Sequence, residues 1–352
     1  MFRDLFNRGA KDVGVDLGTS NTLIYVKDKG IVVNEASIVA LNNRNDQILA
    51  VGAEAQKMVG KTPPHITISK PLVDGIISDF EVTEKMLKYF IDRLYKESFG
   101  LSRRPRIIIG VPLDVTEVEK KAVEDVVISS GAREVYLVEN VIATAIGARM
   151  PIQDPSGNMV VDLGGGVTEI AVISLSGVVA WKSLRVAGNK LNQDIVQFAR
   201  SEYNLLIGEG VADEIKRHTG RLVDGKAPIE LHMRGRDLMT GLPREVSVTS
   251  EQIKQSLQRS IIAIIEGIKS TLEITPPELV ADIYQRGMVL AGGGALLSGL
   301  DDAIAKATKI PVKVIEDPLT CAVRGMGLIL EDEQLLKEVA IPSSSLEEAS
   351  TR

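Results

Sequence analysis

Residues 13–26 read VGVDLGTSNTLIYV, and residues 159–172 read MVVDLGGGVTEIAV. In both, an apolar run of strand-forming residues delivers an aspartate into a glycine turn and resumes as a second strand. Laying Asp16 on Asp162 aligns Val15 with Val161, Leu17 with Leu163, Gly18 with Gly164, Thr22 with Thr168, Ile24 with Ile170 and Val26 with Val172. Agreement at that many positions reads as an old duplication rather than a short solenoid repeat. It predicts two similar α/β halves facing each other across a cleft.

The flanking sequence fits such halves. Residues 13 to 52 alternate β-rich runs with turn signals and read as a meander. The segment VTEKMLKYFIDRLYKESF then spaces Met86, Leu87, Phe90, Ile91 and Leu94 along one helical face, with Thr83 placed to cap it. RIIIGVP and EVYLVEN read as strands, TEVEKKAVEDVVISSG as a helix stopped by Gly131, and VIATAIGARM as a helix of small residues. After PIQDPSGN the pattern restarts. NMVVDLGGG, EIAVISL and VVAWKSLRV repeat the meander, and helices follow at roughly 189 to 218. A charged section punctuated by Gly and Pro covers 219 to 250. The long helix SEQIKQSLQRSIIAIIEGIKSTLE, the strand GMVLAGGG and the helix LLSGLDDAIAKAT come next, and SSSLEEASTR reads as a disordered tail. Strands alternating with helices imply mostly parallel, helix-covered sheets.

Composition narrows the function. The 352-residue chain is 44% hydrophobic and 25% charged, values of an ordinary globular protein, and its net charge of -6 argues against general nucleic-acid binding. No apolar run reaches the roughly 18 residues of a membrane-spanning helix, and no cleavable signal opens the chain, so a cytoplasmic protein is expected. Cys321 is the only cysteine and reads as an inert, packed thiol. His65, His218 and His232 share no metal-ligand spacing, which argues against a transition-metal enzyme.

The twin turns suggest a chemistry. Glycines and small hydroxyl residues let backbone N–H groups approach an anion, and each turn carries an acid beside that cradle. Mg²⁺ takes oxygen ligands, keeps several waters, and is held through one or two carboxylates together with substrate phosphates. Asp16 and Asp162 are therefore the candidate metal-facing residues, acting through water. A third turn, at Gly292, Gly293 and Gly294 in GMVLAGGGALLSGL, stands between a strand and a helix where an adenosine or its phosphates can lie against backbone.

The order DLGTSNT, DLGGGVTE, GMVLAGGGALL resembles the actin and sugar-kinase ATPase superfamily, which also holds the heat-shock chaperone ATPases. More narrowly, DLGTSNTLIYVKDKGIVVNEASIVA, DGIISDFEVTEKML, MVVDLGGGVTEIAVISLSGVV, RGMVLAGGGALLSGLD and EDPLTCAVRG are similar to the MreB family of bacterial actin homologues, over residues 13 to about 331. The resemblance implies an actin-like α/β ATPase fold of two duplicated ribonuclease-H-like domains, four subdomains in all, around a nucleotide cleft. Residues 13–146 with about 317–335 would form domain I, its small subdomain at about 32–78. Residues 147–316 would form domain II, its small subdomain at about 189–250. Residues 1–12 would be a membrane-binding segment and 336–352 a disordered tail.

The resemblance also implies ATP and Mg²⁺ as cofactors, homopolymerisation into protofilaments, and attachment to the inner face of the membrane. Organisation of wall synthesis and rod shape, with membrane-anchored partners such as RodZ, is implied with it. By position, Gly18, Thr19, Ser20 and Asn21 would contact phosphates from the first domain, and Gly164, Gly165 and Gly166 from the second. The stretch Asp213, Glu214, Ile215 and Lys216 would meet the ribose and adenine, and Gly292, Gly293, Gly294, Ala295 and Leu296 the base.

Departures from the family pattern sit near the expected cleft. Where the family has Glu-Glu-Pro, this chain has Glu139, Asn140 and Val141, and the second glutamate is the one taken to orient the attacking water. An amide can position a water but cannot accept its proton, so normal ATP binding with slowed hydrolysis is expected. Glu139 would point about 100° away from Asn140 on a helix. The family's Gly-Gly-Asp becomes Ala187, Gly188 and Asn189, Asn192 replaces a common aspartate, and Val167 replaces a usual threonine. Two membrane contacts are expected: Phe2, Leu5 and Phe6 in MFRDLFNRGAK, and Phe99 and Leu101 in ESFGLSRRPR. A metabolite kinase and a chaperone-type nucleotide-binding protein remain the alternatives, although no sugar-pocket acid and no peptide-binding domain is legible.

Overall fold

The computed structural model describes residues 12–97, 104–219 and 229–342. The chain divides into two compact units, Met1–Pro155 with Ser174–Val178 and Thr320–Arg352, and Ser156–Ile173 with Val179–Leu319. The sequence reading had set the divisions at 146/147 and 316/317.

The first unit runs β1 (Val13–Leu17), β2 (Asn21–Val26), β3 (Gly30–Ala36), β4 (Val39–Asn42), β5 (Gln47–Val51), α1 (Ala53–Met58), β6 (Ile66–Ser69), β7 (Leu72–Val73), β8 (Ile76–Ile77), α2 (Phe80–Glu97), β9 (Arg106–Val111), α3 (Glu117–Ser129), β10 (Glu134–Glu139) and α4 (Asn140–Gly147). The second runs β11 (Asn158–Leu163), β12 (Thr168–Ser174), β13 (Gly177–Leu184), α5 (Gly188–Tyr203), β14 (Leu205–Leu206), α6 (Glu209–Thr219), β15 (Glu230–Asp237), β16 (Pro243–Thr249), α7 (Ser250–Glu273), α8 (Pro277–Arg286), β17 (Met288–Ala291), α9 (Leu300–Thr308) and β18 (Val312–Val314). The chain then returns to the first unit as α10 (Cys321–Glu331), α11 (Glu333–Val339) and β19 (Ala340–Ile341).

The main sheets have orders β19-β10-β9-β1-β2-β3 and β13-β12-β11-β17-β18. Without β19 these are one topology written twice: an antiparallel meander of three strands extended by two parallel strands. The register agrees in detail. Asp16 faces Leu23 and Leu17 faces Thr22 in the first hairpin, while Asp162 faces Glu169 and Leu163 faces Thr168 in the second. The parallel neighbours match as well, with Val13 beside Ile107 and Met159 beside Met288. The duplication thus extends to β9 and β17, whose sequences RIIIGV and MVLA share little beyond apolarity.

Covered parallel strands must be apolar on both faces, and β9 is buried continuously from Ile107 to Val111. On the first sheet lie α4 and α10, which cross without side chains at their closest points. A methyl on Gly325 would strike the Ala143 carbonyl, and one on Gly147 the Cys321 carbonyl. Cys321 is buried, with Sγ 3.3 Å from the Thr144 carbonyl oxygen, as expected of a packed thiol.

Several expectations need correction. Thr83 does not cap α2: the Asp79 carboxylate accepts from the Val82 amide at 3.0 Å, and the Thr83 hydroxyl donates back to the Asp79 carbonyl at 2.6 Å. The helix expected over LLSGLDDAIAKAT begins only at Leu300, because Gly293–Leu296 is a short 3₁₀ turn and Gly299 takes φ 84°. Within the charged section 219–250, β15 and β16 pair from Glu230–Thr249 to Arg236–Pro243. Their exposed faces carry the charges that hid the alternation. The expected disordered tail 336–352 starts too early: Leu336 and Val339 are buried, and Ala340 and Ile341 pair with Val138 and Leu137. Residues 343–352, Phe2, Leu5, Phe6, Phe99 and Leu101 lie outside the described residues.

Candidate functional site

The first turn is closed by the Gly18 amide donating to the Asn21 carbonyl at 3.1 Å, the second by Gly164 donating to Val167 at 2.9 Å, at equivalent positions. A side chain at either glycine would press on that carbonyl, at 2.8 and 2.9 Å. Close approach of backbone to backbone therefore accounts for the glycine that follows each Asp-Leu.

In the first unit the turn is held by hydroxyls. Ser37 donates to the Gly18 carbonyl at 2.6 Å, so its contact with Thr22 at 2.9 Å is one in which Thr22 donates. The Thr19 hydroxyl accepts the Gly75 amide at 2.8 Å, linking the turn to the β7–β8 hairpin and leaving its own proton to donate elsewhere. Ser20 is exposed, and Asn21 reaches Asn34. Asp16 stands at the end of β1, partly buried.

At the first turn of α4, the Asn140 carboxamide lies over Gly110, where a methyl would collide with Oδ1. That oxygen is buried and has no hydrogen-bond partner. Burial pushes the Glu139 carboxyl above its ordinary value, with Lys120 pulling the other way. Glu139 is the last residue of β10 with extended backbone, φ -62° and ψ 130°, and Asn140 the first of the helix. A small apolar pocket adjoins Gly110 in this unit, lined by Leu17, Gly75, Ile77 and Pro112 among others.

In the second unit the turn is held by backbone. The Gly188 amide donates to the Gly164 carbonyl at 3.1 Å and the Asn189 amide to the Gly165 carbonyl at 2.8 Å. Lys216 of α6 donates to the Gly188 carbonyl at 3.1 Å and pairs with Asp213, itself 2.6 Å from Arg217. Burial lowers the Lys216 ammonium below its ordinary value, with Asp213 opposing. Burial would raise Asp213, but Lys216 and Arg217 outweigh it and hold the carboxyl low.

The third turn joins the second. Gly292 has φ 76°, a left-handed conformation that glycine adopts without strain. A methyl there would strike Asp162 Oδ1 and stand 2.5 Å from the Leu163 carbonyl oxygen. Gly294 packs on Leu163, where a methyl would meet Cβ at 2.7 Å. The structure thus gathers Asp162, Gly164, Gly165, Gly292, Gly294 and Lys216 in one neighbourhood. Other expected contacts lie differently: Ile215 and Ala295 are buried in the core, while Glu214 and Leu296 are exposed. Among the described residues no group of three or more His, Cys, Asp or Glu could hold a metal by itself.

Sequence reasoning missed Ser37, Gly75 and the donor role of Gly188 and Asn189. Ser37 carried a faint signal, a lone hydroxyl at the end of the strand GIVVNEA. The backbone donors carried none.

A model of the MreB/Mbl protein family matches residues 10–338. The chain belongs to the MreB/Mbl family. Relatives include the cell shape-determining protein Mbl of Bacillus subtilis strain 168, 48% identical over 323 residues covering 92% of this chain and 96% of that protein. The cell shape-determining protein MreB of Escherichia coli K12 is 46% identical over 336 residues, 94% of this chain and 95% of that one. Among solved structures, MreB5 of Spiroplasma citri bound to ADP superposes with a TM-score of 0.88 at 35% identity, covering 94% of this chain and 98% of that one. Its complex with AMPPNP scores equally. This family member has the actin-like α/β fold, whose internal duplication is the one seen in its two sheets.

Proposed function

We propose that the chain is an ATP-dependent, filament-forming cytoskeletal protein of the inner membrane face that helps to set cell shape. The observation that carries this is the pair of matching hairpins, each bringing a carboxylate and a glycine turn to the same register of the same topology. The residues fit a Mg-bound nucleotide on two counts. At Gly292 a side chain would fill the space against Asp162, and in the second unit a cation stands close to the phosphate turn. The relative of known structure is recorded with ADP and with AMPPNP, and two relatives are named for determining cell shape.

In this reading Gly18 to Asn21 and Gly164 to Gly166 would hold the phosphates, and Asp16 and Asp162 would hold Mg²⁺ through water. The magnesium ion would neutralise phosphate charge when bound. Asn140 orients the attacking water without taking its proton, so turnover is slow. Protofilaments arise from contacts between copies that do not close on themselves. Membrane attachment rests on the composition of the two expected segments, Phe2, Leu5 and Phe6 among basic residues and Phe99 and Leu101 before Arg103, Arg104 and Arg106.

The test is thermal unfolding with Mg-ATP and with EDTA, followed by negative-stain microscopy on a lipid layer. Stabilisation by Mg-ATP and filaments on the lipid are expected. Unfolding that is indifferent to adenine nucleotides would remove the reading.

A further inference from the structure

We propose that Lys216 is a positioning residue for the second phosphate turn, fixing the backbone of Gly164 and Gly165 through Gly188, apart from any contact it makes with the nucleoside. The inference rests on the nucleotide-binding reading above. Its structural half stands without it.

The geometry is a relay through one peptide unit. The Lys216 ammonium donates to the Gly188 carbonyl at 3.1 Å, and the other end of that same peptide is the Asn189 amide, which donates to the Gly165 carbonyl at 2.8 Å. A cation on a carbonyl oxygen polarises the peptide and makes its N–H a stronger donor, and hydrogen bonds in series reinforce one another. The preceding amide, Gly188, donates to Gly164 at 3.1 Å, so both turn carbonyls are tied back at the start of α5. The N-cap residue, Ala187, offers this helix no side-chain hydrogen bond. The Lys216 side chain is only 17% exposed, so water competes weakly for its protons. Burial lowers the ammonium's pKa, and the paired Asp213 carboxylate opposes that shift.

A lysine that served only the nucleoside would leave the empty turn unaffected by its removal. The positioning role predicts the opposite. In nucleotide-free protein, hydrogen exchange of a peptide spanning residues 187–190 is expected to quicken about tenfold in Lys216→Met. A peptide from β12 should keep its rate. Mg-tripolyphosphate, which has no nucleoside for the lysine to touch, should bind the variant about tenfold more weakly than wild type. Lys216→Arg should recover part of both effects.

Unchanged exchange at 187–190 in Lys216→Met overturns the proposal, as does unchanged tripolyphosphate affinity alongside weakened ATP. Where tripolyphosphate binds wild type too weakly to measure, exchange alone decides. Lys216→Gln replaces Lys216→Met should the latter fail to fold. A wild-type chain that binds no ATP sinks the nucleotide reading and leaves the exchange result to stand by itself.

Discussion

Asn140 and Glu139 are adjacent in sequence and differ in what they can do. Asn140 begins α4 with its carboxamide over Gly110, and an amide, unlike a carboxylate, cannot take a proton from water. Asn140→Glu is expected to raise phosphate release about 10- to 100-fold in a single-turnover assay, at the low end of what general-base help contributes. An unchanged rate would show that the amide is not what limits hydrolysis. Glu139 makes a separate prediction through its burial. Its carboxyl titrates above the ordinary 4.5 in the folded chain, so the folded state keeps a proton that the unfolded chain has lost. The stability this group contributes is complete below pH 4.5 and is lost as pH rises through the raised value. Glu139→Gln should therefore melt about 2 °C above wild type at pH 8 and match it near pH 4, in a series of thermal scans. The identity of these residues was legible in the sequence. Their environment was not, because burial depends on Gly110 and α10, which are distant along the chain.

Among elements, the hairpins were legible because both alternation and turn chemistry are local. What eluded sequence reading was anything decided by partners. The β15–β16 hairpin hides its apolar face among arginines and glutamates, and β19 is a strand only because β10 offers it an edge. The α4–α10 crossing is another such case. Its glycines Gly147 and Gly325 each mark a place where one backbone rides on the other. Gly325→Ala should cost about 1–3 kcal/mol as overpacking, read as a lower urea midpoint with an unchanged slope. A midpoint equal to wild type would mean that the two helices separate easily.

For the whole molecule, the sequence disclosed the duplication and the superfamily order of its motifs. It could not disclose that Arg106 joins Asp12 to Glu333, at 2.7 and 2.5 Å, because those residues come from three distant segments. This clamp lies wholly within the first unit. Under the proposed membrane reading, removal of residues 2–8 should sharply reduce co-sedimentation with anionic liposomes in the polymerised state, where many weak anchors act together. It should leave the melting temperature within about 1 °C, since the clamp is untouched. Undiminished sedimentation would assign membrane contact to another part of the chain. One asymmetry between the halves reaches further. The first loop is restrained by the Ser37 hydroxyl, the second by amides common to every residue except proline. Ordinary point mutation can therefore delete the restraint itself in one half, whereas in the other it reaches the restraint only indirectly, through the Lys216 side chain behind Gly188. Offspring sequences should diverge faster in the mechanics of the amino-terminal loop than in those of its copy.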